Sequence, residues 1–100
     1  MSGSLVISPA ANQDIELAME WYDGIASDLG DRFIVALQSR FEDILSAPLA
    51  PRLLAGRPVR RIYLKGWPYF IYYRIKEEKV RVIAVIHTSR DTKYISSRIR

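Results

Sequence analysis

The sequence predicts an α+β domain: a helix hairpin packed on one face of a small, mainly antiparallel four-stranded sheet, in the order β-α-α-β-β-β. Three observations carry that expectation. Between Pro9 and Pro48 apolar side chains recur at spacings of three and four, the period of a helix face. Between Val59 and Thr88 the chain is rich in Val, Ile and Tyr and is cut by turn residues into three runs. A short apolar run precedes the first helix.

That first run, Leu5-Val6-Ile7, reads as a strand. Ser8-Pro9 then reads as a helix start, with the serine hydroxyl capping free amides and proline where its missing N–H costs nothing. Ala11, Ile15, Ala18, Tyr22 and Ile25 follow at spacings of 4, 3, 4 and 3 and mark one buried face; Asp14, Glu16, Glu20 and Asp23 fall mostly off it. On the adjacent pair Trp21-Tyr22, one residue should be core and the other surface. Residues Ala26 to Gly30 break the pattern, and Asp28 is the expected cap of a second helix. Phe33, Leu37, Phe41, Ile44 and Leu45 give its apolar stripe. So short a connection makes the two helices an antiparallel pair.

Ala47 to Pro58 holds three Pro and one Gly in twelve residues and reads as a loop. Strands are expected at Val59–Lys65, Tyr69–Lys76 and Lys79–Thr88, separated by Gly66-Trp67-Pro68 and Glu77-Glu78. Strict alternation turns Ile62, Leu64, Ile71, Ile75, Val80, Val82, Ala84 and Ile86 toward the helices. It turns Arg61, Tyr63, Lys65, Phe70, Tyr72, Arg74, Lys76, Arg81, Ile83, Val85 and His87 to the other, open face. The tail from Thr92 to Arg100 reads as a helical turn or an extended arm.

One hundred residues suit a single domain, 1–100, with a modest core. The chain has no Cys and one His, which removes thiol chemistry and argues against a metal centre; no cofactor is expected. The N-terminus MSGSLVIS lacks the features of a signal peptide, no run is long enough to span a bilayer, and a cytoplasmic protein is expected. The charge is divided unevenly. Residues 1–50 hold two basic and eight acidic side chains, a net of −6, whereas residues 51–100 hold thirteen basic and three acidic, a net of +10. Such a dipole implies an anionic partner for the second half.

The basic residues of that half are the candidates. A symmetric hairpin about Glu77-Glu78 places Arg74 opposite Arg81 and Lys76 opposite Lys79. Like charges directly opposite are destabilising, so folding alone does not select them, although a solvated basic face also discourages edge pairing. His87 ends the last strand; it could act as an acid, a base or a phosphate contact, or simply bond the chain end and position the tail. Asp91 is the nearest acid in sequence, with Arg90 beside it as partner. One of Arg60 and Arg61 must face the helices or their edge, where Asp43 or Glu42 could pair with it. Trp67, Tyr69, Phe70, Tyr72 and Tyr73 could stack on bases, but are more simply core and cross-strand packing. There is no Gly-rich phosphate loop, no G-x-S-x-G and no H-E-x-x-H.

The ordered set Ile15…Trp21-Tyr22, Phe33, Val59-Arg60-Arg61, Gly66-Trp67-Pro68-Tyr69, Ile71-Tyr72-Tyr73-Arg74, Val85-Ile86-His87-x-x-Arg90-Asp91 and Arg98 resembles the RelE/ParE superfamily of bacterial toxins, toward its ParE-like branch, over essentially the whole chain. The resemblance implies the toxin of a type II toxin–antitoxin system of the kind tied to plasmid stabilisation. Such a toxin inhibits DNA gyrase and is neutralised by a cognate acidic, ParD-like antitoxin in a hetero-oligomer. Nucleic acid would be met only through the antitoxin complex. The other implied activity is a ribosome-dependent mRNA endonuclease, for which Arg61, His87, Arg90 and Tyr94 would be the catalytic set; a non-toxic, autoregulatory member is the third possibility. This chain departs from the nuclease pattern at Phe70, which stands where those enzymes carry a catalytic Arg, and at Ser96, which stands near their late Tyr. Target and antitoxin contacts are therefore expected at Arg60, Arg61, Tyr72, Arg74, Arg81, His87, Arg90 and Arg98.

Overall fold

The chain runs through β1 (Ser4–Ile7), α1 (Pro9–Ile25), α2 (Leu29–Ser46), β2 (Arg60–Tyr63), β3 (Tyr69–Lys76), β4 (Lys79–His87) and a closing 3-10 helix (Thr92–Arg98) in a computed structural model that describes residues 4–90 and 92–99. Residues 1–3, Asp91 and Arg100 lie outside them. The strands form one sheet in the order β1-β4-β3-β2. β1 runs parallel to β4, and β4, β3 and β2 are antiparallel, so the expected β-α-α-β-β-β order and mainly antiparallel sheet are present. The tail takes the helical of its two expected forms. No helix among the described residues is long and apolar enough to cross a membrane.

Local chemistry explains the helices. The Ser8 hydroxyl accepts the Ala11 N–H at 3.1 Å, with Pro9 at the first helical position. Ala11, Ile15 and Ala18 are buried; Ile25, the last residue of the stripe, is exposed. Tyr22 packs inward and Trp21 faces out. The cap of α2 differs from expectation. Asp28 occupies the cap position, but its carboxylate pairs with Arg32 at 3.4 Å and caps nothing. The free amide of Gly30 instead donates to Asp23 Oδ1, 2.9 Å away on α1. A Cβ at position 30 would lie 2.3 Å from that oxygen, so the contact requires glycine.

Phe33, Leu37 and Ile44 of α2 meet Ile71, Tyr73, Val82 and Val85 of the sheet. At one end of this core Tyr22, Phe33, Trp67 and Tyr69 cluster, with Tyr22 and Trp67 edge to face at 4.8 Å between ring centres. Packing is thus what these aromatics do.

Two expectations about the sheet are corrected. The register is Tyr73↔Val82 but Tyr72↔Ala84, so Ile83 is an extra residue on β4. Such a bulge sets two residues against one and reverses the alternation beyond it. Val85 therefore turns toward the helices, Ala84 and Ile86 turn away from them, and His87 lies across from Tyr69 on the helix side. The second correction concerns the face expected to be open. Val59, Tyr72, Ile83, Ala84, Ile86 and Ile95 form a second core there, flanked by Leu54, Phe70 and Ile99. It exists because the 3-10 helix folds back and lays Ile95 on the sheet.

Candidate functional site

The basic residues of the second half separate into distinct environments. Arg60 is structural: its Nη1 donates to the carbonyls of Leu49 (3.3 Å) and Pro51 and so ties the 47–58 loop to β2. It pairs with neither Asp43 nor Glu42; Asp43 is taken by Arg40 at 3.0 Å. The hydroxyl of Tyr73 donates to Pro48 O at 2.7 Å on the same loop, and burial raises its pKa.

Arg61 lies on the face away from the helices. Its guanidinium carbon stands 4.1 Å from the centre of the Phe70 ring, a cation–π contact, and its Nη1 is 3.5 Å from the Tyr72 hydroxyl. Tyr72 itself is 1% exposed, so its ring cannot be a surface contact in this state. The burial follows from the second core that the tail completes.

His87, Arg90 and Tyr94 come together elsewhere, around a groove of about 210 Å³ beside α1, whose walls include Leu17 and Trp21. The His87 ring meets Tyr69 edge to face at 5.5 Å. Its Nδ1 accepts the Ser89 N–H at 3.1 Å, with Ser89 Oγ at 2.9 Å. Nδ1 is thus engaged by its own chain two residues on, and Nε2 is the ring nitrogen left for another partner. Arg90 covers one side of the Tyr94 ring at 4.6 Å. The bulge thus puts His87 on the helix side of the sheet, where it meets Arg90 and Tyr94 at the open edge of β4, whereas Arg61 lies on the other face and on β2.

Arg98 is held by a residue the sequence did not single out. Both its terminal nitrogens bind Asp14 of α1, at 2.8 and 3.0 Å, and Nη1 also donates to Ile83 O at 3.0 Å. Asp14 Oδ2 accepts the Val85 N–H at 3.0 Å. β1 stops at Ile7, opposite Val82, and beyond it this side of β4 has no neighbouring strand. The Asp14–Arg98 pair satisfies the backbone groups left over there. The hydrogen bonds to Asp14 raise the pKa of Arg98 above its ordinary value. The signal that could have found Asp14 is its position, three residues after Ala11 and four before Ala18, at the border of the buried stripe.

Arg74 and Arg81 face each other across the β3–β4 ladder as expected, as do Lys76 and Lys79. Arg74 Nη1 donates to Ile99 O. The Nε atoms of both arginines are buried and have no hydrogen-bond partner among the described residues. Among the described residues no group of three His, Cys, Asp or Glu side chains could hold a metal ion.

A family model described as the ParE toxin of the type II toxin–antitoxin system parDE matches residues 5–92. No curated protein matches the chain. Among solved structures, a chain of the chromosomal ParDE toxin–antitoxin system from P. aeruginosa is 19% identical, with a TM-score of 0.66 over 86% of this chain and 96% of that one. A mutant of E. coli toxin RelE in the free state is 17% identical, with a TM-score of 0.60 over 99% of this chain and 95% of that one. A chain of the intact E. coli RelBE toxin–antitoxin complex is 19% identical, with a TM-score of 0.58 over 89% of this chain and 100% of that one. At such identities these likenesses speak to the fold.

Proposed function

The chain belongs to the ParE toxin family of type II toxin–antitoxin systems, and from that premise we propose that it acts by binding DNA gyrase without chemistry of its own, and that an acidic ParD-like antitoxin neutralises it. The observation that carries this reading is the division of the nuclease set across the sheet. To cut RNA, basic groups and an acid–base pair must converge on one phosphate within hydrogen-bond reach. Here Arg61 is stacked on Phe70 at the β2–β3 side of the sheet, while His87, Arg90 and Tyr94 share a groove at the open edge of β4 beside α1. Phe70 offers no charge to a pentavalent phosphate, and the Nδ1 of His87 is engaged by Ser89. The exposed basic groups and the groove beside Trp21 remain available for a protein surface.

A second reading, the ribosome-dependent mRNA endonuclease, draws its support from the shared groove of His87, Arg90 and Tyr94. Inducible expression without antitoxin separates the two. Gyrase inhibition predicts induction of DNA-damage signalling with translation initially intact, and loss of supercoiling by purified gyrase when the protein is added. Prompt translation arrest with cleaved messages, and gyrase left active, would overturn it in favour of the nuclease.

A further inference from the structure

At the β1 edge of the sheet, far from Arg61 on β2, β1, the first turn of α1, the β3–β4 hairpin and the tail surround a cavity of about 530 Å³. Arg74, Lys76, Arg81 and Arg98 all line it, and among the described residues no acidic side chain does. Arg98 is neutralised by Asp14, which leaves three cations without a counter-ion among the described residues of the wall. The Nε donors of Arg74 and Arg81 are buried and unbonded, on side chains directly opposite each other in the ladder. Both features oppose folding: a buried donor without an acceptor, and like charges in direct register. Arg74 also holds the tail through Ile99 O, but the Arg81 guanidinium has no such bond among the described residues. Residues kept against stability in this way are what a ligand site leaves behind when its ligand is absent. The start of a 17-residue helix, α1, closes the same cavity and adds the positive end of its dipole.

We infer that this cavity is an oxyanion pocket that receives an Asp or Glu side chain of the antitoxin, held by Arg74 and Arg81. Charge complementarity selects the anion, and a carboxylate is the group that accepts from two guanidinium forks at once. The wall selects a peptide over a phosphate backbone: Val6, Pro9 and Ile83 stand beside the cations and suit the apolar neighbours of an acidic side chain. The inference rests on the toxin–antitoxin reading above and locates one anchor of that complex.

Two measurements test it. In the first, protein with isotope-labelled arginine is titrated with sodium acetate at fixed ionic strength. The guanidinium resonances of Arg74 and Arg81 should move and saturate, those of Arg32 should not, and Arg81→Gln should abolish the response at Arg74. In the second, affinity is measured for the small acidic protein encoded beside this chain. Arg81→Gln should weaken it about tenfold to a hundredfold, the loss of one or two charge-assisted hydrogen bonds. Arg81→Lys should fall between, and Arg32→Gln should stay within about twofold, as expected for an exposed pair. Arg81→Gln should melt at or above the wild-type temperature because it removes the repulsion, so lost binding is not lost folding. Equal affinity of wild type and Arg81→Gln, or no saturable acetate response, overturns the pocket. If the wild type itself binds no such partner, it is the toxin–antitoxin reading that fails.

Discussion

Tyr69 stands where three aromatic rings meet, those of Tyr22, Phe33 and His87. Burial, with Tyr22 beside it, pushes its pKa up to about 12, from 10.0 for a free tyrosine. Because the folded value lies above the unfolded one, the stabilisation is complete below pH 10 and is lost as pH rises to about 12, where the folded hydroxyl ionises. Urea midpoints measured from pH 8 upward should therefore fall across that window (roughly pH 10 to 12), and Tyr69→Phe should flatten the fall. A wild-type profile as flat as that of Tyr69→Phe would refute the assignment. Tyr69 was legible in the sequence as packing. Asp14 was not, because nothing local shows that an acid on a helix will meet an arginine 84 positions away.

The β3–β4 hairpin contains both a strained turn and a hidden irregularity. Glu77 and Glu78 have φ of 54° and 63°, the left-handed region where residues with a Cβ are disfavoured. The register Lys76↔Lys79 leaves two residues to reverse the chain, and right-handed strand twist selects a turn with both φ values positive. Asn-Gly is the natural occupant. The double variant Glu77→Asn, Glu78→Gly should gain about 1–2 kcal/mol and raise the melting midpoint by about 4–8 °C per kcal/mol; calorimetry checks it, and an unchanged midpoint counts against strain in the turn. The two-residue turn could be read from sequence, since Glu-Glu interrupts two β-rich runs. The bulge at Ile83 could not. β4 reads Val-Arg-Val-Ile-Ala-Val-Ile without a Gly or Pro to mark the slip, and either parity places apolar residues on both faces. Straight alternation therefore mis-assigned Ala84, Val85, Ile86 and His87, and with them the face of the candidate site.

At the scale of the whole molecule, a sheet with helices on one side has been covered on the other by its own tail. Ile95 is 0% exposed and seals Tyr72 beneath it. Ile95→Ala should cost about 2–5 kcal/mol, the range for a fully buried aliphatic side chain. Chemical denaturation measures the loss, and a cost under about 1 kcal/mol would mean that the tail is not docked as a core element. The same docking brings Arg98 to Asp14 and Ile99 to Arg74, so two residues expected at a binding surface also hold the fold together. By itself the sequence determined the element order, the helix faces, the register of the hairpin tip and the concentration of positive charge in the second half. Those depend on period, turn chemistry and composition, which are local. The tertiary structure alone decided which face His87 takes, that the tail closes a second core, that Arg61 is parted from His87, and that Arg74 and Arg81 line one cavity. Each of these depends on a one-residue slip in strand pairing or on a contact between distant segments, where the deciding energy is burial across the assembled sheet rather than any preference of the residues concerned.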